Sequence, residues 1–303
     1  MPDADDQKRL LSTDSSERHS TPQGSRRLVK FEDIPPWYQE NEFIQAGYRP
    51  VSGSIKECFQ SWTYIHNETF NIFSHLVPAA LTVSSLFGAD RLFLTFYPQA
   101  NLKDRAVLTF YLLCVSTCFG LSALYHTMMN HSARYSHTWG NVDYCGIMVL
   151  IFGDFITGEY VGFYCEPHLQ NLYWTLITSF TAMTAYIVLN PKYQSPAHRL
   201  LRLFSFTSLG LSAFAPIVHA LILFDAQELA LRSGLNYYYA EGAIVLMAVI
   251  IYACRYPEKA SPGSFDTWGA SHGIFHVLVV VATMVHFRGV WTAYEVNYNS
   301  SRC

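Results

Sequence analysis

Seven apolar segments, at about residues 70–89, 106–128, 139–163, 170–190, 200–224, 237–254 and 267–291, constrain this chain more than any other feature. A hydrocarbon core of ~30 Å is crossed by about 20 helical residues, and the segments have about that length. Only 14% of the residues are charged, against ~25% in a typical soluble domain. The expectation is an all-α membrane protein, a seven-transmembrane helix bundle. With no cleavable signal at the N-terminus, a spanning helix would serve as the insertion signal. Pro78 and Pro216 lie inside segments and predict kinks, whereas Pro191 and Pro257 fall just past segment ends.

Seven spans put the termini on opposite sides. A cytoplasmic N-terminus places 14 of the 20 Lys and Arg on that side; without the residues before Arg49 the split is 8 to 6. The positive-inside rule favours a cytoplasmic N-terminus on that balance, although Arg91, Lys103 and Arg105 oppose it. The orientation is the reverse of that of G-protein-coupled receptors, so no G protein is expected. A net charge of −3 and the lack of a basic stripe exclude nucleic acid.

Around the spans, residues 1–30 are Ser-, Asp- and Arg-rich and read as a disordered tail. Residues 31–66 read as a juxtamembrane helical segment: a short interfacial helix from near Trp37 carrying Phe43 and Ile44, and a second helix over 54–65. Residues 67–292 form the membrane domain and 293–303 a short extracytoplasmic tail. Seven scattered cysteines with no C-x-x-C pair argue against a thiolate zinc knuckle or a disulfide scaffold. A bridge between Cys165 and Cys303 stays open, because spacing alone does not decide it.

The chemistry concentrates at the face where the first span starts. Asn67, Glu68, Asn71 and His75 lie at the start of that span, and Ser122 and His126 at the end of the second. Asp143 lies about one turn into the third. His272 and His276 belong to the last segment, ~8–9 Å and ~14–15 Å past its start if it begins near 267. Four apart, they sit one above the other on a helix face, with Cβ atoms ~6 Å apart. Ionisable groups inside a span are candidates for function because lipid leaves them unhydrated. Three ligands, His126, His272 and His276, plus one water would give a tetrahedral Zn2+ site with an open position; copper, nickel or iron also accept imidazole. Asp143 would hold the water as an outer partner or general base, and Ser122, on the face of His126, would orient a ligand or a substrate carbonyl. The alternative is a buried hydrogen-bond network that fixes helix register. His75 and Glu68 are either outer partners of the ligands or interfacial residues, with helix-cap and packing roles favoured. Asp154, Glu159, His219 and His286 are expected to be satisfied bundle residues, and Cys114 and Cys118 to be small residues at a helix contact.

The stretches WYQENEFIQAGYRP (37–50), IHNETFNIFSHL (65–76), SALYH (122–126), VDYCGI (142–147) and SHGIFHVLVV (271–280) resemble the progestin and adipoQ receptor family, the adiponectin-receptor and haemolysin-III-like group, with a fungal member expected. The resemblance covers about residues 37–290. It implies a seven-helix bundle with a cytoplasmic N-terminus, a zinc ion on His126, His272 and His276, and Asp143 contacting its water. It also implies hydrolysis of a ceramide-like lipid amide, with regulation of lipid and zinc metabolism, in the plasma membrane rather than the endoplasmic reticulum. The expected partners are membrane lipids, a ceramide-like substrate and an extracellular protein ligand. The alternative is a signalling receptor whose zinc is purely structural.

Overall fold

The computed structural model describes residues 27–193 and 198–300. The expected tail lies outside these residues except for its last four, of which Val29 pairs with Tyr48 in an isolated antiparallel bridge. Ten α-helices follow among the described residues: α1 (Ile55–Gln60), α2 (Thr69–Phe96), α3 (Leu102–Met128), α4 (Ala133–Gly162), α5 (Pro167–Leu189), α6 (Arg199–Leu211), α7 (Phe214–Leu223), α8 (Ala226–Ser233), α9 (Leu235–Cys254) and α10 (Ser271–Asn299). Seven stretches are long and apolar enough to span a bilayer, with α6 and α7 sharing the fifth, Phe204–Leu223.

The two internal prolines part company. α2 runs unbroken through Pro78. At Pro216 the ring has no N–H to give the Ser212 carbonyl and would clash with it, and the helix breaks at Ser212–Ala213. There Ala215 N–H takes over the Ser212 carbonyl at 3.1 Å. Other ends follow local chemistry. Asn101 and Asp104 form a reciprocal capping box at the start of α3, which satisfies two otherwise orphaned donors. Asp225 accepts from the N–H groups of Gln227 and Glu228 at the start of α8, and Gly234 closes that helix in the left-handed region at φ 70°.

α3 packs between α2 and α4, and α10 lies against α9 and returns to α2. Just over half of the most apolar window of α3 is buried, against 6% for α9. α3 and α4 are therefore inner helices, whereas α9 presents most of its surface to lipid. In lipid, close helix approach depends on small residues, and the α3–α4 seam shows it. A Cβ on Gly153 would stand 2.7 Å from the Cys114 Cβ, and one on Gly146 would stand 3.2 Å from the Cys118 backbone. Cys114 and Cys118 are thus contact residues, as expected. Cys165 is disulfide-bonded; Cys303 lies outside the described residues.

The juxtamembrane segment differs from expectation. In place of an interfacial helix from Trp37 there is one 3-10 turn, Pro36–Tyr38, followed by irregular chain through Gly47 at φ 83°. The Ile34, Tyr38, Ile44 and Tyr48 side chains are buried together against Tyr125 of α3 and Met129, the C-cap of that helix. Tertiary packing, rather than a repeating backbone, holds this segment. The second expected helix is present but shorter, as α1 followed by a 3-10 turn over Ser61–Thr63.

Candidate metal centre

Two helices deliver the three imidazoles. His126 ends α3, and His272 and His276 occupy the first turns of α10. That helix starts later than expected, at Ser271 rather than near 267, because Gly269 turns the chain at φ 76° and Ala270 is the N-cap. Outside anchors fix the start. The Glu258 carboxylate, itself buried, accepts from the Ser271 N–H at 2.7 Å and from its hydroxyl, which satisfies an orphan donor. Asp266 accepts from the N–H groups of Gln45 and Ala46 at 2.8 and 2.9 Å. His272 therefore sits in the first turn and His276 about 7–8 Å from the helix start.

Ligand nitrogens of His126, His272 and His276 all lie within 4.8 Å of one another, and the Nε2 atoms of His126 and His272 are 3.2 Å apart. Two nitrogens bound to a tetrahedral zinc at ~2.0–2.1 Å are about 3.3 Å apart. The ring nitrogens that point away fix the tautomers. His126 Nδ1 lies 2.8 Å from Glu68 Oε2, a carboxylate that can only accept, so it carries the hydrogen. His276 Nδ1 lies 3.2 Å from the Asn71 carbonyl, again an acceptor. Both rings thus turn an Nε2 lone pair toward the common point, in the pattern of orienting partners around metal-bound imidazoles. The residues fit the zinc ion that the sequence suggests.

Glu68 stands at the head of α2. Burial acts to raise its carboxyl, but the hydrogen bonds from His126 and Asn71 and the charge of Arg49 hold it below the usual carboxylate range. Asn71 donates to its other side at 2.8 Å. His75 stacks on His276 with ring centroids 3.8 Å apart, and its Nδ1 meets the Ser122 hydroxyl at 2.8 Å. Asp143 faces Ser122 and His126. The two residues expected to act as caps and packing, Glu68 and His75, are therefore direct neighbours of the histidines. The signal that would have found them is their spacing: Glu68, Asn71 and His75 recur at three and four residues, one face of a helix.

Arg49 was not anticipated in any role. Its fully buried guanidinium donates to the carbonyls of His126 at 2.6 Å and Thr127 at 3.0 Å and to Ser61 Oγ at 2.9 Å. The last carbonyls of α3 lack helical partners, so Arg49 ties the ligand-bearing end of that helix to the juxtamembrane segment. Beside the histidines a cavity of about 130 Å³ is lined by Glu40, Glu68, Asn71, His126, Tyr252 and His272, among others. Burial pushes the Glu40 carboxyl up, and Tyr125 donates to it. His219, as expected, is satisfied, by the Tyr173 hydroxyl at 2.8 Å. His286 is satisfied too, by Glu241 at 2.8 Å and Thr157 at 2.9 Å, and it meets Asp154 and Glu241 deep in the bundle; Asp154 and Glu159 depart from expectation, each keeping a buried carboxylate oxygen without a hydrogen-bond partner.

Residues 63–287 match the haemolysin-III-related family. The chain is 36% identical to the ADIPOR-like receptor IZH1 of Eremothecium gossypii over 281 residues, 91% of this chain and 89% of that one. It is 32% identical to the ADIPOR-like receptor IZH2 of Saccharomyces cerevisiae over 271 residues, 89% of this chain and 85% of the relative. Against the adiponectin receptor protein of Drosophila melanogaster the identity is 32% over 282 residues, 91% of this chain and 62% of the relative.

Proposed function

The chain belongs to the haemolysin-III-related family, as an adiponectin-receptor-like integral membrane protein, and from that premise we propose that it is a zinc-dependent hydrolase of a ceramide-like lipid amide that also serves as a receptor. One observation carries this reading: three imidazoles converge, two of them with the outward nitrogen committed to an acceptor, so that lone pairs meet at one point. Bound there, the ion would supply a positive charge that polarises a carbonyl. Amide hydrolysis consumes one water, breaks the C–N bond and leaves a carboxylic acid and an amine. Asp143 would take the proton from the attacking water and return it to the leaving nitrogen. Ser122 would orient Asp143, and His75 would hold Ser122 in turn. The cavity bounded by Glu68, Tyr252 and His272 lies at the end of the bundle where α2 starts, a depth suited to a lipid linkage below its head group. On the proposed orientation this is the cytoplasmic side of the plasma membrane, and the products would link the protein to lipid and zinc metabolism.

Names borne by the relatives, adiponectin receptor and ADIPOR-like receptor, support the receptor part, with a protein ligand at the opposite face. A second reading, a receptor with structural zinc only, is favoured by the depth of His126 and His276, at 1% and 2% exposure. The test is release of fatty acid from ceramide in proteoliposomes, with bound zinc measured alongside. Turnover by wild type that disappears in Asp143→Asn, while zinc stays bound, supports the hydrolase. No turnover in a zinc-replete, folded wild type leaves the structural reading.

A further inference from the structure

Ten residues beyond His276 on the same helix, about 15 Å along its axis, a second set of ligating side chains meets. Asp154 of α4, Glu241 of α9 and His286 of α10 bring donor atoms within 4.8 Å of one another. The tautomer of His286 follows from its neighbour. Thr157 Oγ donates its one hydrogen to the Gly153 carbonyl at 2.8 Å, and His286 Nε2 lies 2.9 Å from that oxygen. With its hydrogen given to a backbone carbonyl, the hydroxyl accepts from the ring, which assigns the ring hydrogen to Nε2. Nδ1 then faces Glu241 Oε2 at 2.8 Å and Asp154 Oδ1 at 3.8 Å.

A lone pair and two carboxylates facing one another inside a bundle repel unless something positive lies among them. A proton on Nδ1 would satisfy Glu241 but not Asp154. The Asp154 Oδ1 atom is sealed from solvent and has no hydrogen-bond partner, and the same holds for the hydroxyl of Tyr238, whose ring stands 5.4 Å from the His286 ring. An unpaired buried carboxylate oxygen is costly. A divalent ion removes that cost, since it takes both carboxylates and the imidazole together and leaves no net charge. Thr157, holding Nε2–H, is then the orienting partner that metal-bound imidazoles usually have.

We infer that Asp154, Glu241 and His286 form a second cation site, for a divalent transition ion of the zinc class that accepts one imidazole nitrogen and two carboxylate oxygens. It is separate from the three-histidine centre and shares only α10 with it. The test uses full-length protein in nanodiscs, stripped with chelator, reloaded with Zn2+ and analysed for bound metal. Two equivalents are expected in wild type, one in Glu241→Gln, one in Asp154→Asn and one in His272→Ala. One equivalent in wild type, lost in His272→Ala and kept in the two carboxylate variants, overturns the second site and leaves the three-histidine centre standing. One equivalent lost only in the carboxylate variants supports the second site and removes the first. Should neither carboxylate variant fold, Co2+ titration of wild type decides by visible absorption. Two saturating steps with distinct bands support the site, and a single step overturns it.

Discussion

The two histidine clusters on α10 each contain two carboxylates within reach, yet they place them differently. Around His126, His272 and His276, Glu68 sits behind a ring, on its outward nitrogen, and Asp143 stands beside the Ser122 hydroxyl. The inward side there is all nitrogen. Around His286 the two carboxylates occupy the inward side and a neutral hydroxyl holds the outward nitrogen. Either way two negative charges balance one divalent ion, which a bundle in lipid needs, since uncompensated charge there costs several kcal/mol. Carboxylates kept behind the rings leave an inward side free for an incoming carbonyl. Carboxylates placed inward close it. On the two proposed readings, the difference separates a centre suited to chemistry from one suited to holding an ion.

The comparison can be broken most directly by removing a ligand. His276→Ala should weaken zinc binding at the first centre by more than the ~10–100-fold that follows loss of an outer partner and leave the His286 set unchanged, as metal analysis will show. Loss at both would mean the clusters are one cooperative unit. Next, Arg49→Met should lower unfolding stability by about 2–6 kcal/mol, since it strands two buried carbonyls at ~1–3 kcal/mol each; denaturant titration in detergent measures it, and only the first centre should lose metal. Glu68→Gln should keep the fold and weaken zinc ~10–100-fold, read by competition with a chelator. At the other cluster, Gly153→Ala forces a methyl against Cys114 beside Asp154 and should cost about 1–3 kcal/mol, with the first centre's affinity unaltered.

The smallest effect is one of pH. Burial, and then the charge of Arg49, lower the His66 imidazole to about 3, and its Nδ1 accepts from the Glu68 N–H at 3.1 Å. A histidine held below its unfolded value of ~6.5 contributes stability in full above that pH. The contribution drains away as the pH falls from ~6.5 toward about 3. His66→Asn retains an acceptor for that N–H and should flatten this part of a thermal-unfolding profile against pH.

The spans and the clustered histidines were legible because they obey local rules. Hydropathy marks the spans, and H-x-x-x-H puts His272 and His276 on one face. Glu68 does stand at the N-cap of α2, but its contact with His126 and that of His75 with Ser122 were left open, because those partners lie on another helix and nothing in the order of residues gives the rotation of α2 against α3. Arg49 was hidden for the same reason, since its acceptors are carbonyls 77 and 78 positions away. Asp154, Glu241 and His286 come from three helices with no common spacing, so Asp154 and His286 read as separate bundle residues and Glu241 drew no reading. The start of α10 was placed too early because hydropathy does not register a turn at Gly269.

α10 enters the bundle pinned at Ser271 by Glu258 and then carries three imidazoles from two clusters at different depths. A helix is stiff along its axis, so a push on its far end by a protein docked outside would be felt at the opposite leaflet as a change in nitrogen-to-nitrogen distance. A single rod would thereby join the two sides of the membrane mechanically, with no loop travelling across it.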